Sequence, residues 1–205
     1  MSEGKRKIKS IGILAYGSLI DDPGCEIKAA ISSKLKGVRT PFKVEFARKS
    51  STRGDAPTLV PVKQGGANVN SVIFVMEDEI SIDKARDILW RRETGQICKN
   101  KTYKPSSNPG PNTVCIKEIK DLAGIATTIY TSIKPNIKEL TPNQLARLSI
   151  ESVRKTEKGR DGISYLIHVK SNGIETPLMK EYEKEILRQT ETETLEAALG
   201  KLQLN

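Results

Sequence analysis

Ile11-Gly12-Ile13-Leu14-Ala15-Tyr16-Gly17-Ser18-Leu19 decides how the rest of the chain is read. A short apolar run that breaks at Tyr-Gly-Ser reads as a first strand, over 8–15, which hands the chain to a turn. Basic residues precede it, as they would a secretory leader. The apolar run is too short for one, however, and Asp21 and Asp22 follow closely, so a strand is the better reading. At the turn, Gly17 lets the backbone bend sharply and aim the N–H groups of Gly17, Ser18 and Leu19 into one concavity. Such a nest holds a carboxylate or an oxyanion. The same residues can also serve only to change the chain's direction, and on this segment alone both readings stand.

Outward from this turn, three more strands are expected at 42–47, 58–62 and 69–76, separated by Pro, Gly and Asn clusters. Ile27, Ala30 and Ile31 fall at helical spacing, which predicts a helix over about 26–35 between the first two strands. Ser81-Ile82-Asp83 opens another helix, and two strands follow at 113–119 and 125–131 behind the Pro- and Asn-rich loop 105–112. Thr141-Pro142-Asn143-Gln144 combines an N-cap threonine, a proline at the first helical position and a glutamine at the third, a capping box before Leu145 and Leu148. Helices are expected at 161–169, 178–187 and 194–199, with Leu178, Tyr182 and Ile186 forming a buried stripe. No internal repeat or long linker divides the chain. Strands followed by helices therefore predict one α+β domain over 1–205, its C-terminal helices packed on the sheet.

Hydrophobic residues make up 37% of the chain, with three Phe, five Tyr and one Trp, so its core must be aliphatic. The formal net charge of +9 attracts polyanions, but Lys and Arg are interleaved with acids along the whole length. With aromatics at 4% there are few stacking platforms, so nucleic-acid binding ranks below a solvated surface. Cys25, Cys98 and Cys115 are far apart in sequence and lack a Cys-x-x-Cys pair. The reading is a reduced, cytoplasmic chain with buried or inert thiols and no metal site. No run approaches the roughly 18 apolar residues of a membrane-spanning helix.

Glu93 is the residue most suited to chemistry. On a helix starting near Ser81, a period of 3.6 residues puts it about 20° from Ile82 and about 40° from Leu89, at the edge of the apolar stripe. It also falls in the last turn, before Thr94-Gly95, where the helix dipole disfavours a negative charge. A residue that breaks two local rules is a candidate for function. The competing reading is an ion pair with Arg91 or Arg92, and position alone supports the two equally.

The strand ending in Tyr16-Gly17-Ser18-Leu19 and the helix ending in Leu89-Trp90-Arg91-Arg92-Glu93 resemble the two hallmarks of the γ-glutamyl cyclotransferase-like superfamily, an early Tyr-Gly-Ser loop and a late Arg-Glu pair. A third segment, from Tyr165 through Gly173-Ile174-Glu175-Thr176-Pro177-Leu178 to Tyr182, is similar to the family's C-terminal part. The resemblance implies an α+β fold built on a small mixed β-barrel with flanking helices. The barrel strands and the Glu93 helix would occupy 8–135, and the helical part 141–205. It implies a cofactor-independent enzyme of acyltransferase or lyase type that cyclises a small γ-glutamyl amine or peptide to 5-oxoproline. In that scheme Glu93 is the general acid/base, Tyr16 shapes the pocket wall, and the backbone of Gly17, Ser18 and Leu19 binds substrate oxygens. The family's glutamate is often followed by an aromatic residue. Here Thr94-Gly95-Gln96-Ile97 follows, so one wall of the pocket is expected to differ.

Two further groups are candidates. Arg53, in the polar turn Ser50-Ser51-Thr52-Arg53-Gly54, offers a fixed cation for a carboxylate, or else an exposed turn. Lys99, Lys101, Tyr103 and Lys104 offer a lid over an anionic substrate, or an exposed loop. The single histidine, His168, lies in an expected helix with no Gly-x-Ser-x-Gly motif to serve, and reads as structural. No phosphate-binding Gly-rich motif is present. Two rivals to the enzyme remain, a binding protein without turnover on the same fold and a basic nucleic-acid-associated module.

Overall fold

Strand β1 (Ile11–Ala15) has a side chain able to pack at every position but Gly12, and it is hydrogen-bonded on both edges. In the computed structural model, which describes residues 10–204, Ile13, Leu14 and Ala15 are fully buried. The continuous apolar run belongs to a strand covered on both faces rather than to an alternating half-exposed one. Gly12 is small because a Cβ there would come within 2.5 Å of Ile73 Cγ2. The expected strand began at residue 8, but Ile8 and Lys9 lie outside the described residues.

The chain divides into two compact units, Met1–Val38 with Ser71–Ser132 and Arg39–Asn70 with Ile133–Asn205. The first unit holds β1, α1 (Gly24–Ala29), β2 (Ile31–Arg39), β5 (Asn70–Met76), α2 (Ile82–Glu93), β6 (Cys115–Leu122) and β7 (Ile125–Ser132). Its sheet runs in the order β2-β5-β1-β7-β6. Central β1 is antiparallel to β5, with Ile13 opposite Phe74, and parallel to β7, with Ile13 opposite Ile129. The sheet is therefore mixed, within an α+β architecture. It is open, with β2 and β6 at its edges. This corrects the expected closed barrel: among the described residues no strand pairing joins the two edges.

The helix expected over 26–35 is also corrected. Helix α1 stops at Ala29, and Ile31 begins edge strand β2, of which Ile31, Leu35 and Val38 are half-buried and most of the rest exposed. Ile27, Ala30 and Ile31 do fit a helix, but Ser32 and Ser71 favour the strand: Ser32 Oγ donates to Val75 O at 3.1 Å and Ser71 Oγ to Val38 O at 2.6 Å. Exposed Lys34 and Lys36 protect this edge from pairing with another chain. Ser81 caps α2 as its position predicted, accepting from Lys84 N–H at 3.2 Å. The helix buries Ala85, Ile88 and Leu89 in one core cluster with Ile13, Ala15, Leu19, Ile27, Phe74 and Ile129.

The second unit contains the antiparallel pair β3 (Val44–Ser50) and β4 (Ala56–Pro61), and helices α3 (Pro142–Val153), α4 (Gly162–Ser171), α5 (Met179–Thr190) and α6 (Leu195–Leu204). Thr141 caps α3, accepting from Gln144 N–H at 3.3 Å. Only half of the capping box forms, because Thr141 N–H donates to Glu139 O. Phe46 packs edge-on to Tyr165 and Tyr182. Tyr182 and Ile186 are fully buried, as the stripe predicted, whereas Leu178, the N-cap of α5, is half-buried.

Candidate active site

At the end of β1, Tyr16 is still extended, and its hydroxyl donates to Thr131 O at 3.1 Å. Gly17 turns to φ 60°, a conformation that glycine enters without strain. Gly17–Leu19 then forms one 3-10 turn, with Ile20 N–H donating to Gly17 O at 3.2 Å and Asp22 N–H to Ser18 O at 3.0 Å. The N–H groups that begin a helical turn have no acceptor within it. A left-handed residue entering a right-handed turn is a backbone arrangement that gathers such groups together. Leu19 has a second role: its side chain belongs to the core beneath the loop.

The C-terminal turn of α2 is tied to the segment that follows this loop. Arg91, only 5% exposed, grips Glu26 with Nε and Nη2, at 3.0 Å to Oε2 and 2.7 Å to Oε1. Its Nη1 donates to Lys101 O at 2.6 Å. Glu26 also accepts from Cys98 N–H at 3.1 Å. Hydrogen bonding from the Arg91 guanidinium holds the Glu26 carboxyl below its ordinary range.

Arg92 faces another way. Its Nη2 and Nε donate to Asp22 O at 2.6 and 2.9 Å, and its Nη1 to Glu93 Oε1 at 2.9 Å. One guanidinium thus joins the two motifs singled out in the sequence. Ser18 is bonded to Asp22, Asp22 to Arg92, and Arg92 to Glu93. The Glu93 side chain is 23% exposed, half-buried rather than sealed, and Arg92 offsets its charge at the negative end of the helix dipole. Of the two arginines offered as ion-pair partners for Glu93, Arg92 takes that part and Arg91 goes to Glu26.

Asp22 and Glu26 did not stand out in the sequence as site residues, and Arg92 entered only as part of the Arg-Glu pair and as one of two possible ion-pair partners for Glu93. The available signal was charge: Asp21-Asp22 and Glu26 lie just beyond the loop, and Arg91-Arg92 just before Glu93.

The remaining candidates have other partners. Arg53 belongs to the second unit, where its guanidinium stacks 4.8 Å from the centre of the Tyr165 ring and its Nη1 donates to Arg160 O at 3.4 Å. Lys99, Lys101 and Lys104 are exposed. The segment carrying them is fastened to the first unit: Tyr103 N–H donates to Asp87 Oδ1 at 2.7 Å, and Tyr103 Oη accepts from Ile116 N–H at 3.0 Å. His168 is exposed on α4. Cys25 and Cys98 are exposed, so of the expected buried or inert thiols these two are not buried. Among the described residues no helix is long and apolar enough to cross a membrane. No protein-family model matches the chain, and no curated protein matches it.

Proposed function

We propose that the chain is a γ-glutamyl cyclotransferase-like enzyme that converts a small γ-glutamyl amine or peptide to 5-oxoproline, with Glu93 as the proton-transfer group. The observation that carries this reading is the Arg92 link, which holds a half-buried carboxylate in one hydrogen-bonded assembly with the Tyr16–Leu19 turn. Glu93 takes a proton from the substrate α-ammonium, and the freed amine attacks the γ-carbonyl carbon. As the ring C–N bond closes, the bond to the leaving amine breaks, Glu93 returns the proton to that amine, and the second proton of the attacking nitrogen passes to water to leave the neutral lactam. Amide groups of Gly17, Ser18 and Leu19 hold substrate oxygens, a preorganised contribution that needs no rearrangement during the reaction. Tyr16, fixed through Thr131, forms part of the wall. The scheme needs no cofactor, and the small mixed barrel implied by the resemblance is not required for it.

The same ion pair favours a second reading, a binding protein in which Glu93 only neutralises Arg92. The test is to incubate the protein with a panel of γ-glutamyl compounds, detect 5-oxoproline by mass spectrometry, and repeat the assay with Glu93→Gln. Gln can still accept from Arg92 but cannot take the ammonium proton. Turnover by the folded variant is expected to fall by about 10²–10⁴-fold with ligand binding retained. Unchanged turnover per folded molecule would remove Glu93 from the mechanism. Ligand binding without any 5-oxoproline would favour the second reading.

A further inference from the structure

Cys25 in α1 and Cys98 in the segment after α2 are separated by 73 positions in sequence, yet their Sγ atoms lie 3.4 Å apart. Both residues are exposed. The backbone on each side is held independently of the sulfurs. Glu26, next to Cys25, receives the Cys98 N–H at 3.1 Å and the Arg91 fork at 2.7 and 3.0 Å, while Lys99 N–H donates to Gln96 O at 3.0 Å. Cys98 itself sits at φ 59°, a left-handed conformation uncommon for a residue with a side chain, and it places the thiol beside Cys25. Among the described residues no group of three or more His, Cys, Asp or Glu side chains could hold a metal ion. Cys115 is half-buried, with its Sγ 3.9 Å from Thr113 O. The feature is therefore a two-thiol pair, accessible to a small reagent and braced by a charged clamp.

We propose that Cys25 and Cys98 form a reversible dithiol modification site, oxidised by a small-molecule disulfide to an intramolecular bridge between α1 and the segment after α2. The thiolate of one cysteine attacks a sulfur of the small disulfide, whose S–S bond breaks and releases one small thiol, leaving a mixed disulfide on the protein. The second protein thiolate attacks the protein sulfur of that mixed disulfide and releases the second small thiol. The two protein thiols lose two protons and two electrons, which the small disulfide gains as it becomes two small thiols, so the exchange balances and an excess of small thiol reverses it. The second step is fast relative to escape, because the sulfurs need only close from 3.4 Å to a bond of about 2.0 Å. The bridge would lock the corner formed by Glu26, Arg91 and Cys98. The inference holds whether or not Glu93 is catalytic.

The test exposes the reduced protein to oxidised glutathione, blocks free thiols with N-ethylmaleimide, and reads the intact mass and the cross-linked peptides. Expected is the loss of two of three maleimide adducts, a Cys25–Cys98 peptide, free Cys115, and full reversal by dithiothreitol. Cys98→Ser and Cys25→Ser should each stop at a mixed glutathione disulfide on the remaining member of the pair, while Cys115→Ser should bridge like the parent. In denaturing urea, where the fold no longer holds the pair, the Cys25–Cys98 bridge should lose its lead over bridges to Cys115. A folded parent that keeps three maleimides, accumulates mixed disulfides on both cysteines, or bridges through Cys115 or between two chains would overturn the proposal.

Discussion

Gly17 lies at φ 60° at the point where β1 becomes the 3-10 turn, and an L-residue with a side chain is strained there by about 1–2 kcal/mol. A β-branched residue is worse placed still. Gly17→Val is therefore expected to lower stability by at least about 1 kcal/mol in urea titration and to abolish binding of any γ-glutamyl ligand. A folded Gly17→Val protein that binds normally would show that the turn is not the oxygen-binding element. The need for glycine was legible in the sequence, because an apolar strand running into Tyr-Gly-Ser leaves a tight turn few alternatives. The role of Arg92 was not. Adjacent helical residues point about 100° apart, so Arg91 and Arg92 had to face different partners. Which one met Glu93 depended on where the loop at Asp22 and helix α1 came to rest.

Between elements, a charged clamp joins α1 to α2 in the first unit. Arg91 is buried and depends on Glu26 for its counter-charge. Hydrogen bonds to a charged group contribute about 1.5–3 kcal/mol, so Glu26→Gln is expected to destabilise the protein by about 2 kcal/mol at neutral pH. The sign of the pH dependence follows from the carboxyl, whose folded value is held below its ordinary 4.5 by Arg91. A depressed carboxylate contributes stability in full above its unfolded value and loses it as pH falls through the folded one. The gap between parent and variant should be constant from neutral pH down to the ordinary value and close below it. A gap that widens in acid would contradict the assignment. Elements with their own caps were legible: α2 from Ser81 and α3 from Thr141 both start where the capping side chain sits. Helix α1 was mispredicted because its apolar spacing continues into β2, where the hydrogen bonds of Ser32 and Ser71, long-range by nature, determine the conformation.

Over the whole chain, the α+β class followed from strands preceding helices, whereas sheet closure did not, since closure depends on edge pairings that leave no periodic mark in sequence. The net charge of +9 leaves one global question, whether the molecule binds polyanions. Among the described residues many cations are used locally, as with Arg86 between Asp83 and Glu118, Arg147 with Glu151, and Arg188 with Glu185. An open concavity of about 670 Å³ in the second unit, lined by Thr52, Arg154, Lys155, Thr156, Glu157 and Arg160, offers one place where a phosphate backbone could meet basic side chains. Tyr165 of the same unit is buried under Arg53 and offers no open face for a base to stack on. Binding there would rest on phosphate contacts alone, and such binding weakens steeply as salt competes for the phosphates. Fluorescence anisotropy with a labelled single-stranded oligonucleotide should therefore show association at low salt that is lost at about 0.15 M, where exposed charges are screened beyond roughly 8 Å. Submicromolar affinity that persists at that salt, and that drops when Arg154 and Arg160 are replaced by Ala, would reverse the ranking and make nucleic acid the leading partner.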